Sequence, residues 1–196
     1  LRGAYGKAGS IDYHKNWRNY KEYSGGGILI DQGIHMLDLM RYFSGQDFTH
    51  INSFVTTSYW DIESEDNAFA IMQSDEKITA MLHSSATQWK HKFLLEMCFE
   101  EGYVNLDGIL SGTRSYAPES LVVGRREFED VTFAMGKPKE NITWFENDDS
   151  WELEVTEFVD AILGKITIQN GTSKDAFETL RLVERIYENS GFYSDK

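Results

Sequence analysis

The stretch SGGGILIDQGIHMLDLMRYFSG, Ser24 to Gly45, decides how the rest of the chain is read. Three glycines open it, and without a Cβ they allow backbone conformations and close approaches that other residues forbid. The apolar residues that follow recur at helical spacing up to Ser44-Gly45, which predicts a helix over 28–43 with a glycine stop. At about 100° per residue, Asp31, His35, Asp38 and Tyr42 fall within one arc of about 60°. Leu29, Met36, Met40 and Phe43 lie to one side and Ile30, Ile34 and Leu37 to another. Such a helix is expected to be largely buried, with its ionisable groups partnered or facing a water-filled cavity. An Asp four positions before a His can hydrogen-bond the imidazole, fix its tautomer and raise its basicity, which suits a general acid or base near neutral pH. A buried His satisfied by a neighbouring carboxylate, with no substrate at all, accounts for the same stripe.

Upstream, residues 1–27 read as a strand end followed by a polar, aromatic loop (Tyr13, His14, Lys15, Asn16, Trp17, Arg18, Tyr20) closed by the glycines. Downstream the hydrophobic period changes to two. Strands are predicted near 49–59, 66–73, 77–88, 92–99, 102–107, 113–116 and 119–124, with connections short enough for an antiparallel meander. Asp149 is placed to cap a helix carrying Trp151, Val155, Phe158 and Ile162, and Thr172 with Asp175 forms a second capping box ahead of Ala176, Leu180, Val183 and Tyr187. The acids from Glu146 to Asp160 read as a helix start and a solvated face. The expected class is α+β: a mostly antiparallel open sheet with an N-terminal buried helix and two C-terminal helices, one domain over 1–196.

Composition narrows the partners. The 196 residues carry a net charge of −13, a field that repels phosphate backbones and anionic headgroups, so neither nucleic acid nor a membrane surface is expected. One cysteine, Cys98, excludes an internal disulfide framework. No apolar run approaches the ~18 residues of a membrane span, which predicts a soluble, cytoplasmic protein. The chain opens without Met on a strand already under way, which suggests a fragment or processed form. The glycine run lacks the last glycine of GxGxxG and follows a polar segment, and neither GK[ST] nor GxSxG occurs. Asp31, His35 and Asp38 could offer a metal two oxygens and a nitrogen, but one helix face rarely closes a site, and no metal is expected.

The stretch closely resembles the GGGxLxDxGxHxxDxxRxxxG signature of the Gfo/Idh/MocA oxidoreductases, the relatives of glucose-fructose oxidoreductase and inositol dehydrogenase. Asn16-Trp17-Arg18 resembles the family's WR element, and Asp175 to Ser190 its usual last helix. The resemblance implies a two-domain enzyme using NAD or NADP, with the Rossmann domain absent from this chain, acting on a carbinol carbon of a sugar, cyclitol or sugar nucleotide. It implies Asp31 and His35 as catalytic residues and Asp38 as the later acid of the signature. His14, Lys15, Asn16, Trp17, Arg18 and Asp38 become candidates for substrate binding. The family's EKP lysine has no counterpart; Lys137-Pro138 lies far downstream after Gly136. Assembly into a homodimer or homotetramer through the sheet is expected. A non-catalytic sugar-binding or oligomerisation module of the same fold is the alternative.

Overall fold

A computed structural model describes residues 1–127, 130 and 132–193. Strand β1, Arg2–Ala8, is followed by two 3-10 turns, the short α1 (Lys21–Ser24), a π-helical turn over Leu29–Gly33 and α2 (Ile34–Ser44). Strands β2 (Phe48–Thr56), β3 (Asn67–Ser74), β4 (Thr79–Ser85), β5 (Thr87–Cys98), β6 (Gly102–Asp107), β7 (Glu119–Arg125) and β8 (Glu140–Phe145) come next, then α3 (Ser150–Ile162) and α4 (Ser173–Ser190). The result is an α+β fold on one eight-stranded sheet.

The order β2-β3-β4-β1-β5-β6-β7-β8 departs from the expected meander. β1 inserts between β4 and β5, parallel to the first and antiparallel to the second. Gly6 pairs with Lys92 and Ala8 with Thr87, so residues 88–91 bulge where the chain passes from one flank of β1 to the other, and Trp89 takes φ +52° there. Residues 113–116, expected as a strand, form turns instead, with Arg114 N–H donating to Ser111 O and Ala117 N–H to Arg114 O. β8 was not expected; both its faces are exposed, so burial imposes no apolar alternation on it.

Side chains alternate cleanly across the sheet. One face packs Ala70, Leu82, Phe93 and Leu95 against Met36, Leu37 and Met40 of α2 and Val183 and Ile186 of α4, all buried. A Cβ on Gly3 would lie 2.5 Å from Met36 Sδ, which shows how closely α2 approaches β1. The other face is open: Phe54, Phe69, Ile71, Met81 and Trp144 are exposed, and His83 stacks on Phe69 at 4.1 Å. Register carries one row of this face from Phe54 through Phe69, His83, Ala4, Leu94, Asp107 and Ser120 to Trp144.

The helices hold two corrections. α2 buries only the side carrying Met36, Leu37 and Met40. His35, Asp38 and Tyr42 are exposed, because the sheet and α4 cover part of its circumference and leave the rest free. At α3 the capping oxygen belongs to Asp148, whose Oδ1 accepts from Ser150 N–H at 3.2 Å, while Asp149 makes no side-chain cap. α4 begins with the predicted box: Thr172 Oγ1 accepts from Asp175 N–H, and the Asp175 carboxylate accepts from Thr172 N–H.

Candidate functional site

Each of the three glycines has its own reason. Gly25 caps α1 in the left-handed region at φ +80°, a conformation a Cβ disfavours. A Cβ on Gly26 would stand 2.3 Å from the Tyr187 hydroxyl, and one on Gly27 2.1 Å from the Glu65 carbonyl oxygen. The run lets the chain pass between the end of α4 and the start of β3.

Glu65 then takes three successive amides. Its Oε2 accepts from Gly27 N–H at 2.8 Å, its backbone oxygen from Ile28 N–H at 3.1 Å, and its Oε1 from Leu29 N–H at 2.9 Å. These are the N–H groups that the start of a helix leaves without intrahelical partners. The Tyr187 and Tyr193 hydroxyls donate to the same carboxylate at 2.7 and 3.0 Å. Burial raises the Glu65 carboxyl above the usual range, opposed by the hydrogen bonds from Tyr187, Leu29 and Gly27. Burial, followed by the Glu65 charge, pushes both tyrosine hydroxyls far up, so they remain protonated donors.

Asp31 sits on the π-helical turn that follows, its N–H donating to Gly27 O at 3.0 Å. Its carboxylate pairs with Lys7 Nζ from β1 and lies 3.5 Å from Arg18 Nε. The Lys7 and Asp31 side chains are 19% and 21% exposed, so this pair is shielded from water on most sides. The Arg18 guanidinium lies 4.6 Å from the Trp17 ring, and Asn16 Oδ1 accepts from Arg18 N–H at 3.0 Å, which shapes the turn that presents it. Trp17, Arg18, Tyr23, Ser24, Ile30 and Asp31 line a cavity of about 200 Å³.

The sequence places Asp31 to orient His35; the structure gives the carboxylate other partners. Among the described residues no hydrogen bond joins Asp31 to His35. Two cations take the carboxylate instead, in charge-assisted contacts. His35 lies one helical turn further on, its ring 6.2 Å from Tyr5. Tyr5 packs edge-on against Tyr116 at 5.5 Å, and the Tyr116 hydroxyl donates to Gln32 Oε1 at 3.1 Å. His91 stacks on Tyr116 at 4.8 Å and accepts Ala8 N–H at Nδ1. Burial, and then the negative charge of Asp31, raises the Tyr5 hydroxyl, and Tyr13 is raised in the same way. The tyrosines around the site are neutral groups that can donate a proton to a hydrogen bond.

The remaining candidates lie elsewhere. His14 and Lys15 are exposed on the first 3-10 turn, Lys15 paired with Asp12 at 2.7 Å. Asp38 turns to α4, where its Oδ1 accepts from Thr179 Oγ1 at 3.0 Å, and it lines a different cavity with Arg41 and Asp175. Asp31, His35 and Asp38 thus face separate partners, and among the described residues no three His, Cys, Asp or Glu side chains gather as a metal site. Sequence reasoning missed Lys7 and Glu65. Lys7 had a readable signal, a lysine on the face of β1 that also carries Gly3 and Tyr5; Glu65 had none, since its partners lie 36 and 122 residues away.

An open sheet covered by helices on one face, with a shielded carboxylate between two cations at a Trp-walled cavity, defines an α+β domain. Residues 1–105 match the GFO/IDH/MocA C-terminal domain, and the chain belongs to that family. Aldose-aldose oxidoreductase from Caulobacter crescentus, complexed with glycerol, shares the fold with a TM-score of 0.72 and 22% identity, over 96% of this chain and 52% of its own. Levoglucosan dehydrogenase, in complex with NADH and levoglucosan, does so with a TM-score of 0.77 and 15% identity, over 97% of this chain and 55% of its own. UDP-N-acetylglucosamine 3-dehydrogenase from Acidithiobacillus ferrooxidans gives 0.73 and 14%, over 97% and 54%. The chain thus spans about half the length of these solved relatives. Comparison with curated proteins finds no match. No helix of the described residues is long and apolar enough to cross a membrane.

Proposed function

We propose that residues 1–196 form the substrate-binding and assembly domain of an oxidoreductase that transfers hydride between NAD or NADP and a carbinol carbon of a sugar, cyclitol or sugar nucleotide. The observation that carries this reading is the Asp31 carboxylate held between Lys7 and Arg18 at the cavity walled by Trp17. Two cations against one carboxylate leave an excess of positive charge in a chain whose net charge is −13. That local field favours an oxygen on which negative charge develops as a hydroxyl loses its proton. His35 takes that proton as general base in oxidation and returns it in reduction. Trp17 offers a flat apolar face to the C–H side of a sugar ring, and Arg18 and Asp31 hydrogen-bond its hydroxyls.

The glycine run is not free to cradle the cofactor's phosphates. The amides of Gly27, Ile28 and Leu29, which a glycine-rich turn would offer to a phosphate, are already bonded to Glu65. A nicotinamide dinucleotide, which supplies the hydride acceptor, is therefore expected to be held mainly by a further, dinucleotide-binding domain. Calorimetric titration of these 196 residues with NAD and NADP in both redox states tests this. The expected result is no binding at micromolar concentration; micromolar affinity would refute the division of labour.

A second reading, an assembly module, is favoured by the open sheet face, where Phe54, Phe69, Ile71, Met81 and Trp144 stand exposed together. The two roles coexist. Sedimentation at tens of micromolar, where interfaces of ordinary size persist, should give a dimer or tetramer; a monomer alone contradicts assembly.

A further inference from the structure

We infer that Glu65 is a positioning residue for the Asp31 site, an inference that rests on the oxidoreductase reading above. Its relative exposure is 0%, and the three amides it accepts, those of Gly27, Ile28 and Leu29, belong to residues outside the lining of the proposed substrate cavity. What it holds is the backbone that leads to Asp31. The carboxylate and the carbonyl of this one residue bond the amides of Gly27, Ile28 and Leu29. The carbonyl of Gly27 in turn accepts the N–H of Asp31. Glu65, Gly27 and Asp31 therefore form one chain of hydrogen bonds ending on the π-helical turn, a feature that inserts an extra residue into a helix and is frequent at functional sites. Tyr187 and Tyr193 anchor the carboxylate from the other end of the sequence. The Lys7 pair then depends on where this clamp sets Asp31, since Lys7 is fixed independently in β1.

The chemistry of the clamp requires a carboxylate. Two backbone N–H groups point at its two oxygens, and neither can reverse its role. A glutamine has one acceptor oxygen and one amide NH₂, so it can satisfy Leu29 or Gly27 but turns a donor towards the other. The tyrosine hydroxyls can adapt to that change; the amides cannot.

The test pairs Glu65→Gln with Met97→Ala, which opens the core where β5 pairs with Val104 of β6. Amide hydrogen exchange at Asp31 is measured in the 196-residue chain, and kcat and KM in the full-length enzyme. The expected result is that Glu65→Gln loses most protection at Asp31 and lowers kcat tenfold or more with KM within about twofold, whereas Met97→Ala does neither per folded molecule. Unchanged protection at Asp31, an equal loss in Met97→Ala, or lost protection with normal kcat would each overturn the positioning role. Should Glu65→Gln not fold, Tyr193→Phe removes a single donor from the carboxylate and should move both readouts in the same direction by less; no movement would overturn the inference. A wild-type enzyme without dehydrogenase activity would sink the oxidoreductase reading, and with it the positioning role in that reaction, while exchange at Asp31 still reports whether the clamp exists.

Discussion

His35→Asn in the proposed full-length oxidoreductase is expected to lower the turnover rate about 100-fold or more, the scale of general acid and base catalysis, while folding and cofactor affinity stay nearly intact. The structure sharpens this test. His35 is exposed and its ring contact is with Tyr5, so replacing it breaks no buried ion pair. A thermal melt close to wild type is therefore expected, and the steady-state rate alone decides. A normal turnover rate would remove His35 from the chemistry. Asp31→Asn should slow turnover too, by a different route. It removes the charge that faces Lys7 and Arg18, leaving two cations together in a shielded site at a cost of about 1–3 kcal/mol. Stability and rate should fall together at Asp31 and separate at His35, and the contrast between the two variants is the measurement.

Gly27→Ala is expected to be the most destabilising single-methyl change in the site region. The added Cβ would stand 2.1 Å from the Glu65 carbonyl oxygen and 2.9 Å from its nitrogen, both backbone atoms that a side-chain rotation cannot move. Relief requires displacing either the glycine turn or the chain entering β3, which overpacking data put at about 3 kcal/mol. For a chain of this size that lowers the melting temperature by roughly 6–12 °C. Gly45→Ala is the matched comparison. Nothing lies within 4 Å of its Cβ, but the residue caps α2 at φ +63°, so only the left-handed backbone is penalised, by about 1 kcal/mol. Equal melts for the two variants would show that the close approach of Gly27 to Glu65 does not hold in solution.

Local pattern carried a large part of the fold. The alternation near 49–59 and 66–73 predicts β2 and β3 because their side chains meet the α4 side or the open face in turn. Thr172 and Asp175 announce α4 because a capping box is complete within four residues. The signature from Ser24 to Gly45 identified the family and singled out Asp31 and His35. The strand order lay beyond such reading. β1 pairs with residues 79 to 94 positions away, and periodicity tells which face a residue takes without telling which strand lies beside it. The apolar spacing of α3 predicts a helix correctly, yet Trp151, Phe158 and Ile162 are exposed, so spacing reported the element and not its burial.

The site divides in the same way. The amino-acid sequence by itself determined the residue types and their local geometry: a glycine run, an Asp and a His one turn apart, and a Trp-Arg pair upstream. Only the tertiary structure decided who partners whom. Lys7 and Arg18 take the Asp31 carboxylate, Thr179 takes Asp38, and Glu65 takes the amides of the glycine turn. The physical reason is that a buried or half-buried polar group bonds to whichever partner folding brings within about 3 Å. Helix spacing places Asp31 and His35 on one side, but it cannot foresee a lysine delivered by a strand 24 residues before Asp31 or a glutamate 38 residues after Gly27.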